Sequence, residues 1–169
     1  MRLISHLVFS LSFVVVYILQ STFFSRITLI SGTPDLILLL LAAWSLQARA
    51  KYCWLWIIIS GLIVSVVSAM PFYAPLIAYL GVFGLSKLIQ RRVWRIPILA
   101  MSIVSFLGSL FQGLVYVLLL KINGAPIGWG QSLDAVILPM VLMNLIFILP
   151  MFAIVSDLVG RIYPLEEEV

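Results

Sequence analysis

The sequence has 169 residues, of which 64% are hydrophobic and 9% are charged, and its mean hydropathy is +1.24. Soluble domains carry roughly 25% charged residues, and a chain of this length cannot bury so much apolar surface in water. We therefore expect a single transmembrane helical domain in residues 1–169, with lipid as the solvent. The formal net charge is +4, but the basic residues lie at the ends of apolar runs, so no nucleic-acid surface is expected.

Six apolar segments follow one another along the chain, separated by charges, prolines or glycines. No small-residue cleavage site follows the first, so we expect an uncleaved helix and not a signal peptide. The second is short for a span because its apolar core runs only from Leu36 to Leu46, and residues 27–30 are a candidate re-entrant or interfacial piece before it. The predicted spans lie near 3–24, 34–48, 52–69, 72–90, 96–120 and 133–160.

Basic residues are divided unequally between alternate connections. One side of the predicted bundle carries eight Lys or Arg residues, and the other carries two, Arg26 and Lys121. Cytoplasmic loops are enriched in Lys and Arg, so we predict that the side with eight faces the cytoplasm and that both chain ends lie there. The eight are Arg2, Arg49, Lys51, Lys87, Arg91, Arg92, Arg95 and Arg161.

Few side chains are suited to catalysis. The chain has one histidine, His6, and one cysteine, Cys53, and its acids other than the tail 166–168 are Asp35, Asp134 and Asp157. His6 is expected at one membrane face and Asp35 and Asp134 at the other, about 30 Å away. Because such separated groups cannot form a triad, a metal cluster or a proton path, we predict no enzymatic activity, no metal and no cofactor.

Short polar patterns predict local structure. Thr33-Pro34-Asp35 is typical of a helix start, with Thr33 as the hydroxyl cap, Pro34 in the first turn and Asp35 at the positive end of the dipole. A partner contact is the alternative role for Asp35. Asp157 and Arg161 are four residues apart and are expected to pair on the last helix.

Buried polar and small residues are the candidate contact sites. Gln112 and Asn144 fall at similar depth on the fifth and sixth helices, so they are expected either to hydrogen-bond to each other or to meet a partner's transmembrane helix, and Gln20 could join either scheme. Ser105, Ser109 and Gly113 lie four residues apart on the fifth helix and form a small-residue stripe, which fits an internal contact or a partner helix. The candidate partner-binding residues are Asp35, Ser105, Ser109, Gln112, Gly113 and Asn144.

The short basic loop after the fourth helix has two interpretations. Its cations could attract anionic lipid or a cytoplasmic protein. Alternatively, they only hold this loop on the cytoplasmic side. The residues concerned are Lys87, Arg91, Arg92 and Arg95.

Three sequence patterns together resemble the family of the rod shape-determining protein MreD. The first helix ends in Leu-Gln-Ser-Thr at 19–22. Pro-Asp-Leu at 34–36 opens a leucine-rich helix that closes with Ala-Trp-Ser-Leu at 43–46. The last helix carries Asn144, then Pro150, and ends near Arg161. The resemblance covers the whole chain in length and in number of spans.

This resemblance implies a non-enzymatic subunit of the bacterial cell-elongation complex in the cytoplasmic membrane. Its implied partners are the single-span protein MreC, the RodA glycosyltransferase with its penicillin-binding transpeptidase, and cytoplasmic MreB filaments. The alternative is a substrate-binding subunit of an energy-coupling-factor vitamin transporter, which is similar in general architecture. That class is disfavoured because the first helix is bulky at 14–18, where small residues are expected, and because a polar ligand needs more convergent donors.

Overall fold

The computed structural model describes residues 2–22, 33–48, 50, 52–92, 96–126 and 128–163, with side chains from residue 6 onward. Within these ranges the chain forms six helices and no strand. Each helix lies within a few residues of a predicted segment. The helices are α1 (Arg2–Thr22), α2 (Leu36–Leu46), α3 (Cys53–Val67), α4 (Ala74–Arg92), α5 (Pro97–Ile122) and α6 (Trp129–Ile162).

Several features of the sequence lie outside the described residues. They are the candidate re-entrant piece at 27–30, the side chain of Arg2, and Arg26, Arg49, Lys51, Arg95 and the acidic tail at 166–168.

Within the described ranges, two helices are long and apolar enough to cross a membrane, by length and composition. They are α5, with 26 residues, and α6, with 34 residues. Large apolar side chains are also exposed on other helices, among them Leu11 on α1 (65%) and Val66 on α3 (75%). Since water would penalise such a surface, the all-helical fold is consistent with a membrane protein.

Helix α2 lies at the centre of the bundle. It contacts all five other helices, and its first ten residues are buried. A helix that is hydrophobic on all sides must be enclosed by apolar surroundings, which explains the position of this leucine-rich segment. With 11 residues it is ~16 Å long, about half of the ~30 Å hydrocarbon layer. The segment predicted at 34–48 therefore does not form a full-length span by itself.

The outer helices pack through regular sequence spacings. On α1, Phe9, Phe13 and Val16 are buried, and their i, i+4, i+7 spacing puts them on one helix face. Where α4 crosses α5, a Cβ on Gly81 would lie 2.1 Å from Cε1 of Phe111. The absence of a side chain at residue 81 therefore permits the close approach of these two helices.

The final helix departs from regular α geometry near its start. Residues Leu133–Ile137 form a π turn, and the regular helix continues from Leu138 to Ile162. Pro139 lacks the N–H that would bond to the carbonyl of Ala135, and π turns occur where the regular ladder is interrupted. The irregularity thus includes Ala135, the residue whose carbonyl loses its usual donor at Pro139.

Contacts between helix ends define the two ends of the bundle. The end of α1 meets the start of α2, since Gln20 Oε1 accepts from the N–H of Ile37 at 3.1 Å. The end of α2 meets the end of α4, since Lys87 Nζ donates to the carbonyl of Ser45 at 2.8 Å. We call the two ends of the bundle the Asp35 end and the Lys87 end.

Truncating a side chain of α2 should destabilise the bundle. Leu39 is completely buried, so we expect Leu39→Ala to lower the free energy of unfolding by about 2–5 kcal/mol through lost contacts and a residual cavity. Unfolding in mixed micelles, followed by circular dichroism, measures this change. Leu62→Ala, at a position 40% exposed on α3, is the matched control. Equal losses for both variants would contradict the central position of α2.

Candidate functional site

Asp35 begins a cluster of polar side chains at one end of α2. Its carboxylate Oδ1 accepts the N–H of Leu38 at 2.9 Å, and α2 starts at the next residue, Leu36. The predicted helix start is right, but the assignment of the cap to Thr33, with Pro34 in the first turn, is wrong. Asp35 itself is the N-cap, because its carboxylate lies within reach of a free amide of the first turn.

Two other helices donate hydrogen bonds to the same carboxylate. Tyr79 on α4 donates its hydroxyl to Oδ2 of Asp35 at 3.1 Å. Gln112 on α5 donates from Nε2 to Oδ2, and it also donates to the hydroxyl of Tyr116 at 3.2 Å. Among the described residues, no Lys or Arg forms an ion pair with Asp35. Neutral donors and the N-terminus of α2 therefore surround this buried acid.

Asn144 on α6 connects α2 to α5. Its Oδ1 accepts the backbone N–H of Asp35 at 2.7 Å, and its Nδ2 donates to Oγ of Ser109 at 2.7 Å. The predicted direct bond between Gln112 and Asn144 is not formed in the structure. Both side chains do reach the same cluster, but each bonds to Asp35, because the start of α2 lies between α5 and α6.

Side chains also cap the opposite end of α2. Lys87 Nζ donates to the carbonyl of Ser45 at 2.8 Å, and Gln90 Nε2 donates to the carbonyl of Leu46 at 2.9 Å. The last carbonyls of a helix have no partner within it and carry partial negative charge. A cation and an amide from α4 thus satisfy the end of a helix that stops inside the bundle.

The cluster at the Asp35 end supplies hydrogen bonds that hold helices together. Apart from Gln112 Oε1, which is buried without a hydrogen-bond partner, its donors and acceptors are directed at one another and at the backbone of α2, and Asp35 is buried. The chain matches no protein-family model, no curated protein and no solved structure. The geometry of the bundle is therefore the basis for proposing a function.

All six candidate partner-binding residues are buried within this chain. Ser109 bonds to Asn144, and a Cβ on Gly113 would lie 2.8 Å from Cγ1 of Ile137 on α6. Ser105 is buried with no hydrogen-bond partner for its hydroxyl. The small-residue stripe of α5 thus packs against α6, so a partner helix would have to displace α6 to reach it. The six residues are Asp35, Ser105, Ser109, Gln112, Gly113 and Asn144.

The candidate lipid-binding cations lie at the Lys87 end. Lys87 is partly buried, Arg91 and Arg92 are exposed, and Arg95 lies outside the described residues. The predicted pair between Asp157 and Arg161 is confirmed, with Nε of the arginine 3.0 Å from Oδ2 of the aspartate. Lys121 lies at the other end of α5, with Nζ 4.1 Å from the ring centroid of Trp129.

Tyr79, Tyr116 and Gln90 also belong to these contacts, and the sequence does not predict them. Each lies in a helix where its side chain could face lipid, pack inside the bundle or lie at the membrane interface, so the sequence does not distinguish these positions. Only the packing of α2 against α4 and α5 gives these polar atoms a role. The short length of the helix at 36–46 is itself a signal in the sequence. The backbone N–H and C=O groups at the ends of such a helix need hydrogen-bond partners from other segments.

Removing the carboxylate of Asp35 should destabilise the protein strongly. Asp35→Ala leaves Leu38 N–H, Tyr79 OH and Gln112 Nε2 without their acceptor, and each buried unsatisfied group costs about 1–3 kcal/mol. We expect Asp35→Ala to lower the free energy of unfolding by at least about 3 kcal/mol more than Asp134→Ala, whose side chain is exposed. Unfolding in mixed micelles makes the comparison. Similar losses would show that the cluster does not hold α2.

Proposed function

We propose that the chain is a non-enzymatic scaffold subunit of the bacterial cell-elongation complex, similar to MreD. In this proposal it lies in the cytoplasmic membrane as a six-helix bundle with both ends in the cytoplasm. It binds MreC and, with MreC, supports the RodA glycosyltransferase and its penicillin-binding transpeptidase. The complex is linked in turn to cytoplasmic MreB filaments. The observation that carries the proposal is an apolar groove on the outside of the bundle.

The groove lies between α4 and α5 and has a volume of about 380 Å³. Gly81 and Gly108 are explained by internal packing, since Cβ atoms there would meet Phe111 and Val82. Gly84 is different, because a Cβ on it would meet nothing within 4 Å. The lining residues are Gly81, Gly84, Leu85, Leu88, Leu107, Gly108 and Phe111.

A glycine inside a helix costs about 1 kcal/mol relative to alanine. At residue 84 no described contact within the chain requires it. Small residues at such positions let the backbone of a second transmembrane helix approach closely, and association in lipid depends on this close packing. A single-span partner such as MreC presents such a helix, so the groove is suited to it.

The transporter alternative receives no support from this geometry. A subunit that binds a vitamin needs polar side chains directed into a ligand cavity. At the Asp35 end, Gln20, Asn144 and the carboxylate of Asp35 bond to the backbone of α2 instead. The surface of α1 also carries Val14 and Ile18, which are exposed and bulky.

The proposed orientation can be tested with reporter fusions. Lys87, Arg91, Arg92 and Arg161 lie on described helices at the Lys87 end, so the positive-inside tendency predicts that this end faces the cytoplasm. We expect fluorescent-protein fusions at either chain end to be bright, and alkaline phosphatase fusions at either end to be inactive. After Lys121, a fluorescent-protein fusion should be dark and an alkaline phosphatase fusion should be active. Chain ends on opposite membrane faces would contradict the proposal.

Filling the groove should weaken binding to MreC. Gly84→Leu adds a side chain where the structure leaves open space, so the fold should be retained while a partner helix is kept away. We expect recovery of MreC in co-purification to fall about tenfold. Gly130→Leu is the matched control, because a Cβ there also meets nothing within 4 Å and residue 130 does not line the groove. Equal recovery with both variants would argue against the groove.

Cell shape provides a functional readout of the same variants. Depletion of the protein should make rod-shaped cells round, because wall synthesis along the cell would lose its membrane scaffold. Expression of the unmodified chain or of Gly130→Leu should restore the rod shape, whereas Gly84→Leu should not. Microscopy of depleted cells gives the result. Rods that persist after depletion would rule out a role in elongation.

A further inference from the structure

A cavity of about 620 Å³ lies at the Lys87 end of the bundle. It forms because α2 stops at Leu46, whereas α4, α5 and α6 continue past this level toward the end of the bundle. Its walls are the first turn of α5, the last turns of α6 and the residues just after α2. The lining includes Leu46, Gln47, Gln90, Ile98, Phe152 and Val159.

The walls of this cavity are mainly apolar, and its polar side chains are few. Ile98, Phe152 and Val159 supply apolar surface. Gln90 lines the cavity, and its Oε1 accepts from Lys87 Nζ at 3.1 Å, so the ammonium group lies next to the polar part of the wall. The cavity thus has a mainly apolar lining, and Lys87, which does not itself line it, contacts the lining residue Gln90.

The charge of Lys87 is not balanced by a described acid. Its ammonium group has three N–H donors, and two of them bond to the carbonyl of Ser45 and to Gln90. The ion pair present in the described part of the chain is Asp157 with Arg161. Arg91 and Arg92 add two exposed cations in the same turn of α4 as Gln90. Lys87, Arg91 and Arg92 therefore bring positive charge to the part of α4 beside Gln90, and Asp157, next to the rim, is paired with Arg161.

The last turns of α6 leave the cavity open. Gly160 lines it, and a Cβ at this position would meet nothing within 4 Å. Ile98 and Ser156 on the rim are exposed. In a bilayer, this opening would give a hydrocarbon chain a lateral route into the cavity.

We propose that this cavity binds an anionic phospholipid, with an acyl chain between α2, α5 and α6 and the phosphate at Lys87. A partner helix fits the site less well, because the cavity is confined to the end of the bundle below α2 and does not run along the helices. The inference goes beyond the scaffold function and requires only that the protein lies in a bilayer.

The test measures retained lipid on the whole chain. The protein is extracted from vesicles that contain equal amounts of phosphatidylglycerol and phosphatidylcholine, and native mass spectrometry then identifies the lipid that remains bound. We expect the unmodified chain to retain phosphatidylglycerol selectively. Gly160→Leu should abolish most of this retention, and Gly84→Leu should leave it unchanged.

Lys87→Gln separates the role of charge from that of shape, since glutamine can still donate to the carbonyl of Ser45. It should reduce the preference for phosphatidylglycerol about fivefold, as expected for one cation near an anionic headgroup. Ser156→Leu fills the rim independently and replaces Gly160→Leu if that variant is not recovered as a folded protein.

Four outcomes would overturn the inference. They are equal retention of the two lipids by the unmodified chain, full retention by the cavity-filling variants, displacement of the lipid by soluble glycerol phosphate alone, and recovery of a bound polypeptide in place of lipid. The scaffold proposal is judged separately, because Gly84→Leu affects recovery of MreC and Gly160→Leu affects bound lipid.

Discussion

The need to satisfy both ends of an enclosed helix organises this bundle. Helix α2 stops within the bundle at each end, and no water is available in a hydrocarbon interior to bond its terminal N–H and C=O groups. Side chains of other helices take that role, with Gln20 and Asn144 accepting from the first amides and Lys87 and Gln90 donating to the last carbonyls. The positions of α1, α4 and α6 around α2 follow from these bonds.

The use of polar side chains inside the bundle determines which kinds of contact its outer surface can make. Because the polar side chains at the Asp35 end are directed inward, the surface of α4 and α5 is left apolar, with a groove at Gly84. Such a surface recognises other molecules by shape and close packing. Its features are compatible with the proposed scaffold role, and the proposed lipid site at the Lys87 end would extend the same principle to lipid.

The sequence predicts helices well and their mutual contacts only in part. Apolar runs and breaks locate all six helices, and the depth argument brings Gln112 and Asn144 into one cluster. The depth argument misses that both side chains bond to Asp35, because hydrophobic periodicity does not specify the order in which the helices surround α2. The sequence also assigns the cap to Thr33, since Thr33 and Asp35 are both good caps and only the backbone geometry distinguishes them. The contribution of Tyr79 depends entirely on tertiary packing.

The arrangement around α2 has a consequence for the order of assembly during synthesis. The ribosome releases α2 long before α6, yet the acceptor for the N–H of Asp35 is Asn144, 109 residues later in the chain. Until that last helix has been synthesised, the start of α2 lacks one of its hydrogen-bond acceptors. The nascent bundle therefore stays incomplete through most of translation and closes only when its final helix is available.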